Sequence, residues 1–337
     1  MTDRKLATIK KIDSIHPIEN ADAIERAVIG GWNVVVKKEQ FYPSDVCVYF
    51  EIDSLLPDWP QFEFLKKSSW NERLQKYRLK TAKLRGVISQ GLAIPVSEFP
   101  EIRAFTIGDD VTEILEVEKY EPPIPTSLGG EVKGGFPSFI PKTDEERAQN
   151  VPDILKRHPD TEFVITEKVD GTSSTFYFKN GEFGFCGRNW EFKPETKNTY
   201  SEIAKKYNLA DKLKDYTVAI QGEILGPGIQ SNKYKLSEHK FFAFHAYDYE
   251  KRSYLDHDDF VELCTNLGIE TVPILGIAKL GSITIEDLLE MADGESKLHQ
   301  TKREGIVIKS RAEETDFETG RLSFKVISNK FLMKHGE

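Results

Sequence analysis

FVITEKVDGTSSTFYFKNGEFGFC, residues 163–186, decides the fold of this 337-residue chain. Asn180-Gly181 is a dipeptide favoured by two-residue hairpin turns, whose central residues take positive φ. Thr175–Phe178 and Glu182–Cys186 are therefore expected to pair antiparallel. Phe163–Lys168 is another β-branched and aromatic run, closed by the turn formers Asp170-Gly171. Further along, Val218–Leu225, Phe241–Tyr249, Thr271–Leu275, Gly305–Ser310 and Leu322–Ile327 read as strands. Helical patterns cover Tyr200–Leu213, Asp258–Leu267 with Gly268 as its cap, and Thr284–Met291 before Gly294. Strands and helices do not alternate regularly, which points to an antiparallel α+β domain rather than a doubly wound parallel one.

Upstream the pattern changes. Trp32–Lys37, Val46–Ile52 and Val87–Ile94 are strand-like runs with no long helical pattern between them. Residues 1–120 therefore read as a small all-β barrel, 121–141 as a Pro- and Gly-rich linker, and 142–337 as the α+β domain. The linker's GGEVKGG lacks the spacing of a phosphate loop. Within the barrel, Lys76, Arg78 and Lys80 are two apart and would share one face of a strand. Such a face suits the phosphate backbone of RNA on an OB-like barrel, and equally an ordinary solvated strand.

The bulk numbers bound the partners. With 39% hydrophobic and 30% charged residues, the composition is that of a globular protein with a sizeable core. A net charge of -9 argues against unselective coating of nucleic acid, while leaving room for a local basic groove. No apolar run has the length of a membrane span, and the first residues carry no apolar signal stretch. Cys47, Cys186 and Cys264 are far apart and match no zinc spacing, as expected for buried thiols in the cytoplasm.

The chemistry centres on Thr166-Glu167-Lys168-Val169-Asp170-Gly171-Thr172. A lysine closing a strand before a turn is held at the lip of a sheet. Its amine attacks phosphorus only when neutral, and its ordinary pKa is about 10.4. Reaching neutrality near pH 7.4 takes roughly 4 kcal/mol, which desolvation and a nearby cation or metal hydrate can supply. Alone, K-x-D-G is weak. Downstream, however, come Arg188 in CGRN, Glu223 in QGEILG, Glu304 in EGIVIK and Lys325 in SFKVI, each on or beside an apolar strand. Charge on a core strand is costly unless it is paired, bound to metal or facing a site. Five in succession suggest one shared pocket. His239 and His245 beside FFAF read as satisfied core or edge histidines, and Asp256-His257-Asp258-Asp259 reads as a helix N-cap with an acidic first turn.

This ordered series resembles the motifs of the covalent nucleotidyltransferase superfamily, and TEKVDGTSS, QGEILG, EGIVIK and SFKVISNKF most resemble RNA ligases of the Naegleria type. The resemblance implies an antiparallel-sheet, ATP-grasp-like ligase domain preceded by an OB-like barrel. It implies an ATP-dependent enzyme joining RNA 3′-hydroxyl and 5′-phosphate ends, in RNA repair, as a monomer. Lys168 would form lysyl-AMP, with Asp170, Glu223 and Glu304 holding Mg²⁺ or Mn²⁺ largely through water. Glu223 would also contact the ribose, Arg188 the ribose or the RNA end, and Glu167 and Arg147 would complete the ATP site. Lys325 would neutralise the α-phosphate. The first lysine of the usual Lys-x-Lys is Ser323 here, leaving Lys325 alone or Arg321, Lys309 or Lys330 as the second charge. A DNA ligase, a capping guanylyltransferase and a non-catalytic RNA-binding module are the alternatives. The first two generally place an OB domain after the catalytic one, and ten residues follow Ile327.

Overall fold

A computed structural model describes residues 5–120 and 130–335. The chain divides into two compact units, Met1–Pro123 with Leu332–Glu337, and Ile124–Phe331. No helix among the described residues is long and apolar enough to cross a membrane.

The first unit is built from short strands. Val46–Phe50 pairs antiparallel with Ala7–Lys11 on one side and Leu92–Pro95 on the other. Its alternation feeds two cores. Val48 and Phe50 pack with Leu56, Phe62, Tyr77 and Phe99, while Cys47 and Tyr49 pack with Trp32 and Val34. Trp32–Lys37 forms as expected. The expected strand Val87–Ile94 is two strands, Val87–Ser89 and Leu92–Pro95. Gly91, with φ +96, breaks it where any side chain would strike Phe50 O and the Tyr49 ring.

The second unit holds two antiparallel-dominated sheets. Thr172–Lys179 lies between Glu182–Cys186 and Val218–Leu225 in the larger sheet, and Lys240–Asp248 continues it. Asn180 and Gly181 take φ 54 and 82, the hairpin turn that the dipeptide predicts. In the smaller sheet Gly305–Ser310 lies between Glu162–Lys168 and Ser323–Ile327. One face of this sheet, carrying Phe163, Ile165, Ile306, Ile308, Phe324 and Val326, packs on Leu288 and Ala292 of the helix Ile285–Ala292. The larger sheet packs on the helices Thr199–Lys206, Leu209–Leu213 and His257–Leu267.

Three further expectations change in the second unit. The helix read over Tyr200–Leu213 is two, because Asn208 turns left-handed at φ 52. Thr271–Leu275 is split by Pro273, whose missing N–H ends one ladder. Val132–Gly135, read as linker, is an edge strand paired with Trp190–Phe192. Residues 121–129 of that stretch lie outside the described residues.

Candidate active site

The turn Val169-Asp170-Gly171 carries the chain from the small sheet to the large one, so the end of Glu162–Lys168 sits where the sheets meet. Gly171 is required there. A Cβ on it would collide with Ile224 O and the side chains of Leu225 and Glu223. The same approach sets Glu223 beside Ser173 in register, close to Lys168. Glu304 immediately precedes Gly305, the register partner of Lys168, so backbone pairing delivers its carboxylate to the amine. Lys168 Nζ donates to Glu304 Oε1 at 2.5 Å.

Three carboxylates govern that amine. Burial pulls the Lys168 pKa down, but Glu304, Glu223 and Asp170 together outweigh it and hold the ammonium protonated, above its ordinary value. Desolvation, one of the two contributions expected to free the amine, is thus outweighed, because burial brings the amine out of water and into a cluster of anions; the other, a nearby cation or metal hydrate, is left to supply the shift. Glu223 moves in the opposite sense to a usual carboxylate. Burial raises its pKa to about 8, with Glu304 and Asp170 adding to the rise and Lys168 opposing it.

The remaining predicted residues divide. Lys325 faces Val307 and, in parallel register, Arg147; Val307 faces Thr166. Alternation on a strand thus puts Lys168, Lys325 and Arg147 on one face of the small sheet. Arg188, largely exposed, and Lys325 reach opposite oxygens of Asp144, at 3.3 and 3.4 Å. Glu167 points to the other face, where its Oε2 accepts from Lys297 N at 2.8 Å. The candidates for the missing second lysine are engaged elsewhere. Lys309 is the register partner of Ser323, but its Nζ donates to Phe244 O at 2.8 Å, and burial drops its pKa to about 7. Arg321 binds Glu313 at 2.6 Å and buried His245 at 2.9 Å, and Lys330 pairs with Asp293 at 3.2 Å. Arg147 is the cation beside Lys325.

Sequence reasoning missed Lys233 and Tyr234. Lys233 Nζ lies 3.0 Å from Asp170 Oδ2, and Asp170 N donates to the Tyr234 hydroxyl at 2.9 Å. Their loop bends through Gln230, Ser231, Asn232 and Lys235, all at positive φ, a local constraint with no signature in an unaligned sequence. In the first unit the basic strand is Lys76–Arg78 with Tyr77 buried between. Lys76 pairs with Glu118 at 2.6 Å, and Arg78 stacks on Tyr120 at 3.6 Å with Asp53 at 3.7 Å. Lys80 lies beyond the strand and is exposed. The expected basic face is therefore largely neutralised by neighbours in its own domain.

Among the described residues, no three His, Cys, Asp or Glu side chains converge tightly enough to grip a metal directly. The donor set nonetheless fits a hydrated hard cation, being all carboxylate oxygen. Glu304 Oε2 is buried with no hydrogen-bond partner among the described residues, an acceptor suited to a metal's water.

An amine facing three carboxylates, with two more cations on the same sheet, is the site of an enzyme that handles an anionic phosphoryl group with a divalent metal. A family model for an OB-fold domain matches residues 6–96, and one for RNA ligase matches residues 161–327. Among solved structures, the RNA ligase of Naegleria gruberi with pyrophosphate is 42% identical, with a TM-score of 0.90, over 99% of each chain. A glutamate-to-alanine variant of it with ATP and Mn is 40% identical (TM-score 0.91), covering 99% of this chain and 100% of that one. A second glutamate variant, with AMP and Mn, is 41% identical over 99% of each chain (TM-score 0.91). Among curated proteins none matched. The chain belongs to the RNA ligase family.

Proposed function

We propose that this protein is an ATP-dependent ligase that seals RNA 3′-hydroxyl and 5′-phosphate ends through AMP carried on Lys168. The observation that carries the reading is the 2.5 Å contact between Lys168 Nζ and Glu304 Oε1, at the meeting of the sheets and within the field of Glu223 and Asp170. The relatives bound to ATP, AMP and pyrophosphate support the same substrate and products here.

In the first step the Lys168 nitrogen bonds to the α-phosphorus of ATP, and the bond from that phosphorus to the bridging oxygen breaks. Pyrophosphate leaves. The amine must lose a proton to attack, and Glu304 Oε1 is its nearest acceptor. Mg²⁺ or Mn²⁺, when bound, supplies positive charge beside the α-phosphate. Asp170, Glu223 and Glu304 would hold it through water, and compensating their charge removes the field that keeps Lys168 protonated. Lys325 and Arg147 then stabilise charge on the transferring phosphate by fixed electrostatics. Arg188, the most exposed of the cations, is placed for the ribose or the RNA end. In the second step AMP passes to a 5′-phosphate, and in the third a 3′-hydroxyl attacks and AMP departs.

The protein would act as a monomer in RNA repair, in the cytoplasm, where its three buried cysteines stay reduced. The test is end-joining of a nicked RNA duplex with ATP and Mn²⁺ or Mg²⁺, beside the same nick in DNA. Sealing of RNA with ATP supports the reading. Sealing confined to DNA strands, or labelling by GTP in place of ATP, rejects it.

A further inference from the structure

The OB-fold unit carries a second feature that neither the motifs nor the family match assigns. Ala82–Leu84 and Val87–Ser89 form a hairpin joined by Arg85-Gly86, in the register Leu84↔Val87. All of 82–86 is exposed. No acidic residue occurs between Glu72 and Glu98, in a chain whose net charge is -9. Lys80, Lys83 and Arg85 are exposed, and among the described residues none of them has an ion-pair partner. The adjoining Lys76 and Arg78 are held by Glu118 and by Tyr120 with Asp53.

The hairpin tip adds an independent observation. Arg85 sits at φ 47 and Gly86 at φ 88, the left-handed pair of a tight turn. Asn, Asp or Gly takes the first of those positions at least cost. A bulky side chain there stores strain, which structures tolerate at functional sites. A long cation stands at the point of the hairpin against local backbone preference.

We propose that this hairpin, through Lys83 and Arg85 with Lys80 just before it, grips the phosphate backbone of the RNA substrate, the contact first expected of Lys76, Arg78 and Lys80. The proposal rests on the ligase reading above. The three side chains are point charges and a guanidinium on an exposed ribbon with no aromatic platform of its own, so they position RNA without reading its sequence. The contact is electrostatic and sensitive to salt.

The test compares wild type with Arg85→Gly and with the triple variant Lys80→Ala, Lys83→Ala, Arg85→Ala. Binding of a fluorescent nicked RNA duplex is titrated across a salt series, and AMP labelling from ATP is followed in parallel without RNA. Arg85→Gly relieves the strained turn, so it keeps or raises the melting temperature while weakening RNA binding several-fold. The triple variant weakens it more than tenfold and flattens the log–log salt slope by about 2 to 3, with AMP labelling unchanged. Unchanged affinity and slope in the triple variant overturn the proposal. So does loss of AMP labelling alongside RNA binding, which would place the effect in the fold. Failure of wild type itself to take AMP would instead reject the ligase reading, while the salt series still reports on the hairpin.

Discussion

Replacing Glu223 with Gln should stabilise the protein while disabling it. In the metal-free fold burial keeps the Glu223 carboxyl protonated up to about pH 8, against an ordinary value of 4.5. An acid whose folded pKa is raised binds its proton more tightly when folded. Its contribution is intact below pH 4.5, falls as pH rises through the interval, and is fully lost above about 8. At about 1.4 kcal/mol per pH unit, that interval sets a ceiling of about 5 kcal/mol. Glu223 is only half-buried, so solvent screening brings the figure to about 2–3 kcal/mol. Glutamine, isosteric and never ionised, escapes the loss. Thermal melts of both proteins in EDTA should coincide near pH 5 and separate steadily to pH 8, Glu223→Gln melting about 4–12 °C higher. AMP labelling should meanwhile fall sharply. A gap that does not change with pH, or a variant less stable at pH 8, would refute the assignment of Glu223 as a carboxyl strained by its neighbours.

The other predictions concern the turn and its supports. Lys233→Met keeps the packing on Phe331 but leaves the Asp170 carboxylate without its 3.0 Å partner. It should cost about 1–3 kcal/mol in denaturant melts, and Asp170→Asn in the same chain should recover most of that loss. Additive losses would show that the pair is not coupled. Gly171→Ala places a methyl group against Ile224 O and Glu223, so about 1–3 kcal/mol of stability and most AMP labelling should go together. Full labelling with unchanged melting would mean the turn is not as tight as described.

Much of this was legible in the sequence because it rests on local chemistry. Asn180-Gly181 has one favoured turn, and the positive φ values at both residues follow from it. Charged residues on apolar strands pointed to a pocket because core charge needs a partner, and register then brought Lys168, Glu304 and Glu223 together. Long-range geometry was not legible. That Glu118 and Tyr120 would occupy Lys76 and Arg78 depends on a strand pairing 63 residues away. Lys233 reaches Asp170 from a loop whose four left-handed residues follow no single-residue rule. The sign of the Lys168 shift was also hidden. A motif names the residues, while the balance between burial and three facing carboxylates appears only when distances are known.

The most direct measurement is peptide mass mapping of protein exposed to ATP and Mn²⁺ and then digested at neutral pH, since a phosphorus–nitrogen bond is cleaved by acid. One adenylyl group is expected, attached to the side chain that ends the Glu162–Lys168 strand, and it should disappear when pyrophosphate is added back. An adenylyl group fixed to any other side chain, or ends joined by a protein that never carries one, would contradict it.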